Sequence, residues 1–217
     1  MNRSITIDTS VRSLFVGVRV LEQTDQTVLS RDERERAERF HSSSDRERWV
    51  AGRSWLRTSL GARLDVDPID IRFEYGSRGK PMIAWPQSSV AFSLSHSGSV
   101  AMLAIGAFAE LGVDIEQRRG DVYERRSAEI VLSPAEIDWI EESPDPDASF
   151  LRCWVRKEAL GKALGIGLDA SLTEISLTPG TSRIPTGFRL IDLDRPGLVA
   201  AAAVPSRFQV AIEEMET

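Results

Sequence analysis

Cysteine is almost missing from this chain of 217 residues, where Cys153 stands alone. A single thiol excludes an internal disulfide and favours a reducing compartment. Beside Trp154 in a helical segment, it reads as a buried structural group rather than a reactive one. Long hydrophobic runs are missing too. No apolar stretch approaches the roughly 18–20 residues that span a bilayer, and the opening MNRSITIDTS lacks the apolar core of a secretory signal. A cytoplasmic protein with no membrane partner is expected. Excess positive charge is also absent: the net charge of −6 argues against general nucleic-acid binding.

The charge that is present is unevenly spread. Residues 31–57 hold eight arginines and no lysine, whereas 134–149 is acidic and punctuated by proline. An Arg-rich segment in an acidic chain suggests a local anion site; a salt-bridged helix face is the plainer alternative. The periodicity predicts helices over 31–41 and 44–63. In the second, Trp49, Gly52, Leu56 and Leu60 form a core stripe, with Arg46, Arg53 and Arg57 on a neighbouring one. Strands are expected at 69–75, 82–85, 90–95, 100–105 and 111–116. Helices should follow at about 121–131, 134–142 and 148–164, the middle one opened by Ser133-Pro134 with Glu136 completing a capping box. Further strands are expected at 173–178, 187–194, 198–204 and 207–214. This order fits an α+β fold rather than regular βαβ alternation. It suggests two halves meeting near residues 106–111, an N-terminal half over 1–108 and a C-terminal half over 109–217.

Four stretches carry polar residues where core would be ordinary. In LGVDIEQRR, Asp114 and Glu116 lie two apart on a strand and so share a side, where they repel. In CWVRKEALGKALGIGL, Trp154, Glu158 and Lys162 are four apart and share a helix face. FSLSHSG places His96 just past an apolar strand, and SRGKP places Lys80 in a turn opened by Gly79. Each has a plain reading as a wet strand face, an i,i+4 ion pair or a hairpin turn. Jointly they point further. Asp114, Glu116 and Glu158 make a hard-oxygen set suited to Mg²⁺ with substrate phosphates. Arg53, Arg78, Lys80, His96 and Lys162 supply positive charge for those phosphates. A cation between them explains two adjacent strand carboxylates.

AGRSWLR, GKP, FSLSHSG, GVDIE and WVRKEALGKALGIGL, in that order and spacing along the chain, resemble the Sfp-type 4′-phosphopantetheinyl transferases, and the Trp-x-x-Lys-Glu-Ala wording fits the W/KEA branch. The resemblance covers roughly residues 31–178, with Ser93 standing where many relatives have Asn. It implies two similar α+β halves related by a pseudo-twofold axis, a cleft for coenzyme A between them, and a monomer. It implies transfer of phosphopantetheine from coenzyme A to a serine of an acyl or peptidyl carrier protein, releasing adenosine 3′,5′-bisphosphate. Asp114, Glu116 and Glu158 would hold Mg²⁺. Arg53, Lys80, Ser95 and His96 would bind the nucleotide and its 3′-phosphate, with Arg78 beside them. Lys162 would contact the pyrophosphate near the leaving oxygen. Glu158 is the candidate general base, a water on the metal being the alternative acceptor, and Lys157 supports the site from another helix face. Two other functions remain open on the residues alone. One is a different Mg²⁺-dependent phosphoryl enzyme, such as a nucleotide diphosphate hydrolase. The other is a non-catalytic module whose Arg-rich helix binds an acidic partner.

Overall fold

Ser30 opens the first helix. Its hydroxyl accepts the Glu33 N–H while the Glu33 carboxylate accepts the Ser30 N–H, a capping box that starts α1 (Arg31–Glu38). The longer α2 (Ser43–Leu64) buries Gly52, Leu56 and Leu60 of its expected stripe, with Trp49 at the half-buried rim. The computed structural model describes residues 11–22, 24–180, 184 and 187–215. The MNRSITIDTS segment lies outside them.

Beneath α2 runs a four-stranded sheet, ordered β4 (Ala91–Ser97), β5 (Val100–Gly106), β1 (Val11–Val20) and β9 (Gln209–Glu214). A hairpin of β2 (Arg72–Tyr75) and β3 (Pro81–Trp85) stands apart from it. A second sheet, β6 (Gly112–Gln117), β8 (Leu198–Pro205) and β7 (Phe188–Asp192), carries α5 (Pro146–Leu164). Between β6 and α5 lie two shorter helices, α3 (Arg125–Ala128) and α4 (Pro134–Glu141). The expected α+β class holds.

The period of two along the strands assigns the core. Ala101, Leu103 and Ile105 of β5 face α2. Val199, Ala201 and Ala203 of β8 face α5. The alternate residues, Met102 and Ala104 with Ala200, Ala202 and Val204, join Val113 and Ile115 in one cluster shared by both sheets. β9 pairs in parallel with β1, so the last strand among the described residues forms an edge of the first sheet.

Three expectations are corrected. Residues 173–178 form no strand, because helix side chains take their backbone groups. Lys157 Nζ takes the Leu172 and Ile175 carbonyls, Glu136 Oε1 accepts the Leu177 N–H at 2.8 Å, and Arg156 Nε donates to the Leu177 carbonyl at 2.6 Å. The helix expected over 121–131 shrinks to α3. The Asp147 carboxylate gathers the N–H groups of Asp121, Val122 and Tyr123 at 2.8–3.0 Å, and Asp121 sits at φ 58°. At 69–75 the strand begins only at Arg72, after a 3-10 turn over Pro68–Asp70 capped by Asp67.

Candidate active site

Gly112 sets the spacing on which the site depends. A Cβ there would lie 2.0 Å from the Ala159 carbonyl oxygen and 2.5 Å from the Ala163 nitrogen, so the α5 backbone rests directly on β6. That contact carries Glu158 and Lys162, one turn apart on α5, over Asp114 and Glu116. Lys162 Nζ reaches Asp114 Oδ1 at 2.7 Å and Ser95 Oγ at 2.9 Å, and Ser95 Oγ donates to Asp114 Oδ1 at 2.6 Å. No such bond joins Lys162 to Glu158 among the described residues. The plain i,i+4 pair therefore gives way to an ion pair between helix and strand.

β4 and β6 lie side by side without a shared ladder, and serines stitch them instead. Ser93 Oγ accepts the Val113 N–H at 3.0 Å, and Ser97 Oγ accepts the Gln117 N–H at 3.1 Å and donates to Glu116 Oε2 at 2.5 Å. Burial pushes the Glu158 carboxyl above the usual carboxylate range. Lys162 pulls it back, and the charges of Asp114 and Glu116 push it further up. The three sequence-predicted carboxylates thus share one electrostatic site.

Asp114 Oδ2 is buried and has no hydrogen-bond partner, the sort of atom a cation would satisfy. With Glu116 and Glu158 it makes an all-oxygen donor set whose chemistry fits Mg²⁺. As placed, no group of three or more His, Cys, Asp and Glu side chains among the described residues closes into a metal site. The positive charge now on Asp114 is the Lys162 ammonium.

Lys162 also lines a cavity of about 390 Å³ with Arg36, Arg48, Trp49, Arg53, Arg78, Gly79, Lys80 and His96. The wall is strongly cationic. Not all of that charge is free, however. Arg53 forms an ion pair with Glu33 at 3.1 Å and donates to the Tyr75 hydroxyl at 2.9 Å, while Arg57 binds the same Glu33 at 2.6 Å. The expected arginine stripe therefore converges on a buried carboxylate, and Arg46 does not join it. Lys80 Nζ donates to the carbonyls of Leu111 and Ala163 at 3.1 and 3.2 Å, tying the turn to β6 and the end of α5. Burial lowers its pKa, against the opposing charge of Glu110. Arg78 pairs with Asp169 at 2.9 Å. Ser95 faces Asp114 and is not among the residues lining the cavity. His96 is exposed and lines it.

Arg36 and Arg48 line the cavity but escaped the sequence reading. Arg36 lies in the last turn of α1 and Arg48 in the second turn of α2, and the Arg-rich count over 31–57 was the signal that reached them. Lys157 takes no part in the cavity. Its ammonium lies on Glu136 at 2.9 Å, and both side chains are fully buried.

Two family models match the chain. One, described as the 4′-phosphopantetheinyl transferase superfamily, covers residues 110–210. The other, 4′-phosphopantetheinyl transferase, N-terminal, covers 22–107. The chain is 39% identical over 157 residues to the 4′-phosphopantetheinyl transferase HetI of Nostoc sp., a match spanning 70% of this chain and 66% of that protein. It is 32% identical over 180 residues to a phosphopantetheinyl transferase of Thraustochytrium sp., spanning 76% of this chain and 62% of that one. It is 38% identical over 124 residues to the 4′-phosphopantetheinyl transferase AcpT of Escherichia coli O157:H7, spanning 55% and 58%. In each case the chain spans less than two thirds of the relative's length.

Proposed function

We propose, since this chain belongs to the 4′-phosphopantetheinyl transferase superfamily, that it transfers phosphopantetheine from coenzyme A to a serine of an acyl or peptidyl carrier protein. One observation carries the reading. Lys162 lines the cationic cavity and is paired at 2.7 Å with a strand carboxylate, so one ammonium serves both an anion pocket and the acidic cluster beside it. A pyrophosphate at that junction meets the Lys162 ammonium, with the nucleotide and its 3′-phosphate running along the wall that His96 and the arginines line. Asp114, Glu116 and Glu158 would hold Mg²⁺, which would supply charge neutralisation to the pyrophosphate.

The rest falls to the chain's own groups. The carrier serine oxygen bonds to the phosphorus bearing pantetheine, and the bond from that phosphorus to adenosine 3′,5′-bisphosphate breaks. Glu158, one helical turn from Lys162 in the same acidic cluster, accepts the serine proton. Lys162 leaves Asp114 for the leaving oxygen and offsets its charge. We assign the chain to the W/KEA branch on its Trp154, Lys157, Glu158 and Ala159, divide it into halves at residue 108, and expect a cytoplasmic monomer. Among the described residues no helix is long and apolar enough to cross a membrane.

The test is intact-mass spectrometry of a purified apo carrier protein after incubation with this protein, coenzyme A and Mg²⁺. The expected result is a gain of one phosphopantetheine on the carrier and release of adenosine 3′,5′-bisphosphate. Cleavage of coenzyme A with an unmodified carrier would favour a phosphoryl hydrolase instead. No reaction, with tight binding of an acidic protein, would favour a non-catalytic module.

A further inference from the structure

A free Glu116 has no reason to stay beside Asp114. The two carboxylates are i and i+2 on one strand face and repel, Glu116 is only half-buried, and its three side-chain torsions cost entropy to fix. We infer that Ser97 is a positioning residue that holds Glu116 in the acidic cluster as an oriented ligand for the divalent cation. The inference rests on the reading of Glu116 as a metal ligand given above.

The geometry of one hydroxyl carries the argument. A serine has a single proton and two acceptor lone pairs. The Gln117 N–H, at 3.1 Å, occupies the Ser97 oxygen as acceptor, leaving the hydroxyl proton for Glu116 Oε2 at 2.5 Å. That length is in the range of charge-assisted O–H···O⁻ bonds, the stronger class. Ser97 is itself buried, so no bulk water stands ready to take over the bond. Because it binds the backbone of residue 117 and the side chain of residue 116, it fixes the carboxylate relative to its own strand. Ser95 does the same at Asp114, its oxygen accepting from Lys162 while its proton goes to Oδ1. Ser93 belongs to the same seam but, among the described residues, bonds the Val113 N–H and no carboxylate. It therefore separates positioning from mere attachment of β4 to β6.

Mn²⁺ is the probe, titrated into the full-length protein with coenzyme A present and followed by the electron paramagnetic resonance of the free ion. Loss of a group that orients a metal ligand commonly weakens metal affinity by about 10- to 100-fold. Ser97→Ala is expected to fall in that range, Ser97→Thr to stay close to the wild type because it keeps the hydroxyl, and Ser93→Ala to lose far less. Ser97→Cys, a weak donor, should follow Ser97→Ala and replaces it if the alanine variant does not fold. Thermal melts report folding independently. Wild-type Mn²⁺ affinity in Ser97→Ala or Ser97→Cys would overturn the inference, as would an equal loss in Ser93→Ala. If the wild type itself takes up no Mn²⁺, the metal reading falls and the inference with it.

Discussion

Replacing Gly112 by alanine tests whether the approach of α5 to β6 builds the site. The added Cβ would sit 2.0 Å from the Ala159 carbonyl oxygen, where ordinary contact begins at 3.4 Å, and 2.5 Å from the Ala163 nitrogen. Both obstacles are backbone, so no side chain can swing aside. Relief needs roughly 1.4 Å of displacement of α5 from β6, and overpacking of this kind typically costs about 1–3 kcal/mol. The catalytic effect should be larger. A misplacement of about 1 Å in a positioned group can cost on the order of 10²-fold in rate. The move separates Glu158 and Lys162 from Asp114, whereas Arg36, Arg48 and Arg53 of the cavity wall belong to α1 and α2 and stay in place. Urea denaturation should therefore show a modest loss of stability. Steady-state kinetics with an apo carrier should show a fall in kcat far exceeding any rise in KM for coenzyme A. A Gly112→Ala protein with wild-type kcat would refute the claim that this contact sets the catalytic spacing. A loss confined to KM would refute it as well.

Glu158→Gln keeps the side-chain volume and removes the basicity, so kcat should fall by about 10²–10⁴ while KM for coenzyme A changes little; recovery of the rate at high Mg²⁺ would leave Glu158 as a ligand only. Lys157→Met strands Glu136, which is fully buried, and loss of one partner of such a pair costs about 3–5 kcal/mol. Chemical denaturation should show that loss, and wild-type stability would contradict it. His96→Ala should weaken coenzyme A more than 3′-dephospho-coenzyme A, by roughly 10- to 150-fold if the contact is charge-assisted at about 1.5–3 kcal/mol. Arg53→Ala should show the same preference together with a lower melting temperature, because it also breaks the Glu33 pair; titration calorimetry and thermal melts separate the two. Cys153 is fully buried, and burial pushes its thiol from 9.0 up to about 12. Its contribution to stability is present below pH 9.0 and is lost as pH rises towards about 12. The native protein should resist thiol reagents at pH 8 and react after unfolding, and rapid labelling of the folded protein would overturn that assignment.

What the sequence disclosed was local, and what it hid was the far partner of each group. The stripe of α2, the capping box at Ser133 and the common face of Asp114 and Glu116 follow from spacings of two to eleven residues, and each is present in the structure. Arg53 and Arg57 also share a face, yet nothing local says that Glu33, one helix earlier, neutralises both. The strand expected at 173–178 has strand-like residues, but its backbone is claimed by side chains of α4 and α5. β1 went unrecognised, and its parallel partner β9 lies about two hundred residues away.

Lysine usage carried a signal that would have reached further. Of 27 lysines and arginines only three are lysines, at 80, 157 and 162. An ammonium is a compact point charge with three donors that can sit among carbonyls or against one carboxylate oxygen. All three lysines occupy such places. Lys80 bridges Leu111 and Ala163, Lys157 bridges Glu136 and the 172–175 loop, and Lys162 joins Asp114 to Ser95. Ser93, Ser95 and Ser97 are the matching signal on β4. Three hydroxyls on one face of a strand otherwise flanked by core demand polar partners, and those partners are the backbone and carboxylates of β6. β4 and β6, which belong to different sheets, are joined at the site by individual side chains, so the acidic cluster lies along that seam.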